Sequence, residues 1–435
     1  MRSLFYLSLL GFSFDAYAQV KNSLTWSDSV RLLLKDNPDY YSSLKTLQSV
    51  QMQESVDFAD RLPQLSGTFS VNKETSLRGG TQSFRGESYS AGLNLSQSLF
   101  TGGRITNSIE RSEFLTMAQA KQHQLVLVEL EYELTRRFQN LIYAQELVGL
   151  SQTIVQRRRD NVDLLRLRFE SGLEDKGSLL LSQANYAQAQ YNYKESQDLL
   201  SLSQTHMAEI LGVSDYRQLE VIGVNQNIDI DEEYQVIGSE IDFYELVKDL
   251  PAYQRSLYQL EASKKNMAIA KSRYFPQLNL SASLNSTGDD FFPDDTGRFQ
   301  AGLSVSVPLF SGGRDYYRHQ ISVKEYRAGK LDHRSRKLSL ISDVEQAYRN
   351  LKQSYKMVDL EDRFLQAAEL RADIARSKYT NGLLSFEEWD RIETEYINRQ
   401  VSALRVRRDQ VFSIAQWRRI LGVHHFNSYM ENKAI

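Results

Sequence analysis

The chain has no cysteine among its 435 residues, which excludes disulfides, thiolate metal sites and a cysteine-linked lipid anchor within it. Long hydrophobic runs are missing too. Past the first twenty residues, no stretch approaches the roughly 18 apolar residues of a spanning helix, so a membrane would have to be crossed by strands. Neither sign of charge dominates: 52 Lys and Arg against 55 Asp and Glu leave a formal net charge of −3, and the pI is about 6.2. That balance gives no electrostatic reason to expect nucleic acid as a partner. There is no glycine-rich phosphate loop, no nucleophile elbow and no metal-ligand spacing, so neither an enzyme nor a cofactor is expected. Proline is scarce, at six residues, and none falls between 104 and 169, where Gly149 is the one glycine.

At the amino terminus, Arg2 precedes an apolar run over 4–14, and Ala16-Tyr17-Ala18 offers a small-residue cleavage site. An export signal over 1–18 is expected. Beyond it the chain repeats itself. LLKDNPDYYSSL from Leu33 answers LVKDLPAYQRSL from Leu246 at an offset of 213, as LPQL from Leu62 answers FPQL from Phe275. The offset then becomes 210: LFTGGR from Leu99 answers LFSGGR from Leu309, RFESGL from Arg168 answers KYTNGL from Lys378, and ILGV recurs from Ile210 and Ile420. Nearly the whole mature chain is a tandem duplication, with a first repeat over 19–222, an acidic connector over 223–241, a second repeat over 242–423 and a short tail over 424–435.

Each repeat carries four kinds of segment in order: a helix, a strand hairpin, a long helix and a returning helix. Hairpins are expected at about 64–100 and 277–310. In the later one Phe299, Ala301, Leu303, Val305, Val307 and Leu309 alternate with Gln300, Gly302, Ser304 and Ser306, and the partner strand alternates Leu278, Leu280, Ala282 and Leu284 with Asn279, Ser281, Ser283 and Asn285. The earlier hairpin repeats the design. Strands of about 10 to 13 residues suffice to cross a bilayer at a tilt. Long helices are expected at about 104–170 and 314–380, because Leu134, Leu141, Val148, Val155, Val162 and Phe169 stand seven apart, as do Val344, Leu351, Val358, Leu365, Ala372 and Tyr379. Returning helices follow at about 178–212 and 386–421. Four strands cannot close a barrel, and a membrane does not tolerate open edges. Three copies would supply twelve.

The F/L-P-Q-L opening of each hairpin, the L-F-x-G-G-R close, the heptad helix and the R/K-F/Y-x-x-G-L turn together resemble the TolC-like outer-membrane efflux family. The resemblance spans about 24–423. It implies an α+β membrane protein whose tandem-repeat protomer gives four strands to a twelve-stranded trimeric barrel and its long coiled-coil helices to a periplasmic α-barrel. It also implies a homotrimer in the outer membrane of a Gram-negative bacterium, lipid around the barrel, and a passive duct serving drug or metal efflux or type I secretion. Its partners would be a periplasmic adaptor and an inner-membrane transporter of the RND, ABC or MFS type. A secreted or periplasmic coiled-coil structural or adhesive protein is the rival reading, and it would be water-soluble.

The family's periplasmic gate carries acids six and nine residues after the turn glycine. From Gly382 the first is Glu388, while the second position holds Arg391 with Asp390 beside it. A ring of three Glu388 carboxylates would attract cations; alternatively, Glu388 pairs with Arg391 at i,i+3, or Glu387, Glu388 and Asp390 serve as acids of a helix first turn. The first repeat has Ser178 in place of Glu388. Gly172, Leu173, Gly382 and Leu383 match the family's adaptor-facing tips, and helix capping explains the glycines equally well. Gly102, Gly103, Pro308, Gly312 and Gly313 mark strand–helix junctions. Arg157-Arg158-Arg159 reads as a solvated helix face, Asp289, Asp290, Asp294 and Asp295 as an outer loop, and no metal is expected at His424-His425.

Overall fold

A computed structural model describes residues 23–78, 81–213, 219–223, 241–293, 296–426 and 429. The expected export signal, the hairpin-tip pairs Gly79-Gly80 and Asp294-Asp295, nearly all of the connector and most of the tail lie outside the described residues.

Each repeat opens on two helices where the sequence suggests one. α1 (Trp26–Asp36) is followed by α2 (Pro38–Ala59), and α5 (Phe243–Asp249) by α6 (Pro251–Ser272). The break is proline's doing. Pro38 and Pro251 occupy first-turn positions, and the preceding Asn37 and Leu250 are extended, with ψ of 123° and 134°, the conformation that a following proline ring imposes. The long helices α3 (Arg104–Glu170) and α7 (Arg314–Thr380) run 67 residues each without interruption. α4 (Lys176–Leu211) and α8 (Phe386–Leu421) return after them. No helix among the described residues is long and apolar enough to cross a membrane.

Two-residue strands β1 (Ser23–Leu24) and β4 (Glu220–Val221) pair in parallel. The four hairpin strands β2 (Gln64–Arg78), β3 (Thr81–Phe100), β5 (Gln277–Gly288) and β6 (Thr296–Ser306) form one antiparallel sheet in the order β2-β3-β5-β6. Both strands of the first hairpin, at 15 and 20 residues, exceed the expected length. In the second hairpin, Val307 and Leu309 fall beyond the strand, which stops at Ser306. β3 reaches Phe100 because β5 pairs with it through a register shift between Ser98 and Phe100; β6 has no neighbour on that side, and Pro308 offers no N–H to a ladder.

The described chain folds as two compact units, each drawing on both repeats. One contains the described parts of Met1–Asn37, Glu133–Ile228 and Val358–Val411; the other contains those of Pro38–Tyr132, Asp229–Met357 and Phe412–Ile435. In the first, Trp26 packs edge-on against Phe138 at 5.3 Å, and Leu134, Leu141, Met207 and Leu211 are fully buried. In the second, Tyr348 lies 5.8 Å from both Phe243 and Trp417, among buried Val344, Leu351 and Ile414. Phe138 and Tyr348 are 210 residues apart, so duplication placed one aromatic core in each unit.

Candidate functional site

The helical tips lie in the first unit. α3 ends in a Schellman turn: Gly172 has φ of 71°, its N–H donates to Phe169 O at 3.0 Å, and Leu173 N–H donates to Arg168 O at 2.8 Å. α7 ends identically, with Gly382 at φ 76° donating to Tyr379 O at 3.0 Å and Leu383 to Lys378 O at 2.9 Å. A Cβ on either glycine would meet nothing within 4 Å. Left-handed backbone, not crowding, calls for glycine here. The next residues, Leu173 and Leu383, are 67% and 74% exposed. The returning helices start from matching caps, Asp175 accepting from Ser178 N–H at 2.9 Å and Ser385 Oγ from Glu388 N–H at 3.3 Å.

Behind the tips, Leu165, Ala372, Ala375, Tyr379, Phe386, Trp389, Ile392 and Tyr396 form an apolar cluster. Tyr379 stacks on Trp389 at 4.4 Å and 11° between planes. Arg168 sits 4.8 Å over the Tyr379 ring and donates to Tyr379 O at 3.3 Å and Thr380 O at 3.4 Å, satisfying two carbonyls at the α7 terminus, where a cation is favoured. The Tyr379 hydroxyl donates to Glu174 at 2.7 Å. Burial, reinforced by that carboxylate, holds the phenol well above its ordinary range.

The Arg157-Arg158-Arg159 run is not simply a solvated face. Arg157 pairs with Glu393, whose side chain is 1% exposed, and Arg158 donates to Asp390 at 2.7 Å and to Thr394 at 2.8 Å. Asn185 adds a bond to Asp390 at 3.0 Å. Three helices, α3, α4 and α8, therefore meet at one carboxylate. The Glu393 bond raises the Arg157 guanidinium's pKa, burial opposing it. A sequence signal existed for this tie. Trp389, Ile392, Glu393 and Tyr396 share a helical stripe by spacing, and an acid inside an apolar stripe needs a buried cation.

Glu388 differs from Asp390. Its side chain is 53% exposed, and its ion-pair contact is Arg391 at 3.9 Å, a loose surface pair worth little. Among the described residues, no cluster of three His, Asp or Glu side chains could hold a metal. His425 is bound to Glu131, through its backbone N–H at 2.6 Å and Nδ1 at 3.0 Å.

The strand–helix junctions lie in the second unit. Gly102 and Gly103 have φ of 65° and 84°, Gly312 and Gly313 of 64° and 82°. Pro308 stands between the end of β6 and this second turn. On the sheet above, Leu65, Phe69, Leu93, Leu284, Phe299, Leu303 and Val305 are all exposed. Strands β2 and β6 are its outer members.

An exposed apolar sheet face on a duplicated helical chain narrows the choice of family, and comparison with known sequences decides it. The profile of the outer membrane efflux protein family matches residues 30–213 and 248–423. The chain belongs to that family. Its relatives include the probable outer membrane lipoprotein SilC of Salmonella typhimurium, 20% identical over 82% of this chain and 76% of that one. Toxin and drug export protein A of Aggregatibacter actinomycetemcomitans is 21% identical over 87% and 82%. Among solved structures, the Campylobacter jejuni CmeC outer membrane channel superposes with a TM-score of 0.81 at 16% identity, covering 99% of this chain and 97% of that one. As a family member the protein is an outer-membrane exit duct, and its four strands are one protomer's share of a barrel that no single copy can close.

Proposed function

We propose that three copies of this chain form a continuous passive duct, a twelve-stranded barrel joined to a tunnel of long helices, serving a tripartite efflux or type I secretion system. An inner-membrane transporter of the RND, ABC or MFS type supplies the energy, and a periplasmic adaptor joins it to the tips. One observation carries this reading: a four-stranded sheet with an exposed apolar face and two unclosed outer strands. Lipid suits that face only if the edges are paired. The exposed leucines after Gly172 and Gly382 suit an adaptor-facing surface, as apolar groups ringed by polar ones do.

At the tunnel mouth Glu388 is the candidate gate carboxylate. Three exposed carboxylates around a constriction repel one another and draw cations. Asp390 acts differently, as a positioning residue that ties α8 to α3 through Arg158. The junction glycines Gly102, Gly103, Gly312 and Gly313, with Pro308, turn the chain from sheet to helix.

Fractionation of cells expressing the full chain, followed by gels of the detergent-extracted outer membrane with and without boiling, tests the assembly. The expected result is a band near three times the 50.2 kDa chain mass that collapses on heating. Recovery in the soluble periplasm or medium would instead favour the coiled-coil structural protein. For the gate, Glu388→Ala is expected to raise single-channel conductance in planar bilayers and to weaken block by multivalent cations; unchanged conductance and block would remove Glu388 from the gate.

A further inference from the structure

A serine and histidine meet at the same place in each repeat, but their surroundings differ. In the first repeat Ser43 of α2 meets His123 of α3; in the second Ser256 of α6 meets His333 of α7, Oγ to Nδ1 at 2.8 Å, with the Tyr253 ring 4.8 Å from the imidazole. The offsets of 213 before the hairpin and 210 after it identify the counterparts of the neighbouring residues. Where the first repeat has Ser42, Val50, Gln119 and Val126, the second has Arg255, Ser263, Gly329 and Arg336. Two neutral side chains have become guanidiniums, and a long one has become glycine.

These four positions surround one cavity. Arg255, Ser256 and Ser263 share a face of α6, and Gly329, Asp332, His333 and Arg336 stand at i, i+3, i+4 and i+7 on α7. Between the two helices lies a cavity of about 510 Å³ lined by these residues, within the size range of small-molecule sites. Gly329 makes the room: a Cβ there would stand 3.6 Å from Leu260 Cδ1 and 3.7 Å from Ser263 Oγ, so a longer side chain would project into the cavity.

The polar groups of this lining lack partners. Ser256 and Ser272 of α6 donate to the carbonyls of Tyr253 and Ile269, whereas Ser263 Oγ is buried with no hydrogen-bond partner. Arg255 and Arg336 make no side-chain hydrogen bond, ion pair or ring contact among the described residues, although the chain pairs Arg111, Arg137, Arg157, Arg158 and Arg399 with carboxylates. Burial lowers the pKa of His333, and Lys337 adds to the effect, so at neutral pH the imidazole is uncharged and the arginines are the cations of the lining. A buried hydroxyl without a partner is costly, and like charges on one cavity repel. A bound anion relieves both.

We propose that this cavity binds the phosphate group of a small solute, the two guanidiniums sharing the dianion and Ser263 donating to it. Guanidinium forks match phosphate oxygens in geometry as well as charge, and a phosphate monoester carries close to two negative charges at neutral pH. Asp332 also lines the cavity and forms no ion pair among the described residues; it suits a hydroxyl on the solute's organic part. The site is independent of the duct reading above.

Titration calorimetry of the full-length protein in detergent tests it, with inorganic phosphate and glycerol 3-phosphate as probes and sodium chloride holding the ionic strength constant. Saturable binding at one site per chain is expected. Arg255→Ser and Arg336→Val, which install the first repeat's residues, should each weaken it about tenfold or more. Arg334→Ser removes the same charge from α7 outside the lining and should leave affinity unchanged. Gly329→Gln also installs a first-repeat residue; it should abolish binding while raising the melting temperature, since glycine weakens a helix interior. Tighter binding of glycerol 3-phosphate assigns the site to an organic phosphate and equal binding to the free ion, and both support it. Heats that do not saturate overturn the site. So does a loss in Arg334→Ser protein as large as that in Arg255→Ser protein, which would mean general charge screening, and so does full affinity in Gly329→Gln protein.

Discussion

At the scale of single residues, the strongest ties at the tips are buried ion pairs, and such pairs are costly to break from one side. Arg157→Ala would leave the Glu393 carboxylate, 1% exposed, without its cation. The expected loss is about 3 kcal/mol, read as a lower melting temperature, whereas Glu388→Ala, in a pair more than half exposed, should leave melting unchanged. Duplication also placed two histidines alike. The Ser43 hydroxyl donates to Tyr40 O and meets His123 Nδ1 at 2.9 Å; the Ser256 hydroxyl donates to Tyr253 O and meets His333 Nδ1 at 2.8 Å. Burial lowers both imidazole pKa values below 6.5, with Lys337 adding to the effect at His333. Each ring therefore takes its proton more readily when unfolded. Stability from this source is fully present above the unfolded value and falls as pH drops through 6.5 toward the lower folded one. His123→Asn with His333→Asn should flatten that part of the melting-temperature profile, and an unaltered acid slope would assign it to other groups.

At the scale of elements, four helix ends close on left-handed glycines: Gly172, Gly212, Gly382 and Gly422, with φ between 71° and 76°. The tip glycines touch nothing, so Gly172→Ala and Gly382→Ala should each cost about 1 kcal/mol from backbone strain alone. Gly102→Ala meets Ser272 O and Phe275 as well and should cost more. Equal melting losses at all three positions would rule out close packing at Gly102. The proline breaks at Pro38 and Pro251 were legible in principle, since X-Pro disfavours helix at the preceding residue, but the matching repeats on either side invited a single helix. The end of β6 at Ser306 was not legible, because a strand's length depends on its neighbour as well as on its own alternation.

At the scale of the whole molecule, the sheet's lipid-compatible face and open edges make the folded chain an incomplete object, and the trimer proposed above would complete it. Part of this was legible in the sequence: the offsets of 213 and 210 showed a duplicated hairpin and heptad helix, and four strands with open edges called for further copies. The tips were legible as motifs, RFESGL and KYTNGL. Their chemistry was not. Asp390 and Glu388 are two residues apart and looked alike, yet one is held by Arg158 and Asn185 while the other stands in solvent.

Periodicity, glycine placement and duplication, all local or internal to the string, determined the helices, the hairpins and the two repeats, and the motifs in that order carried the family resemblance. Which acid lies in solvent with only a loose local pair and which is tied across helices, where β6 stops and what the arginine run holds were decided only by the tertiary structure. The physical reason is distance along the chain. Arg158 lies 232 residues from Asp390 and Arg157 236 from Glu393, and no period of 2, 3.6 or 7 relates residues that far apart, so only folding brings each charge to its partner.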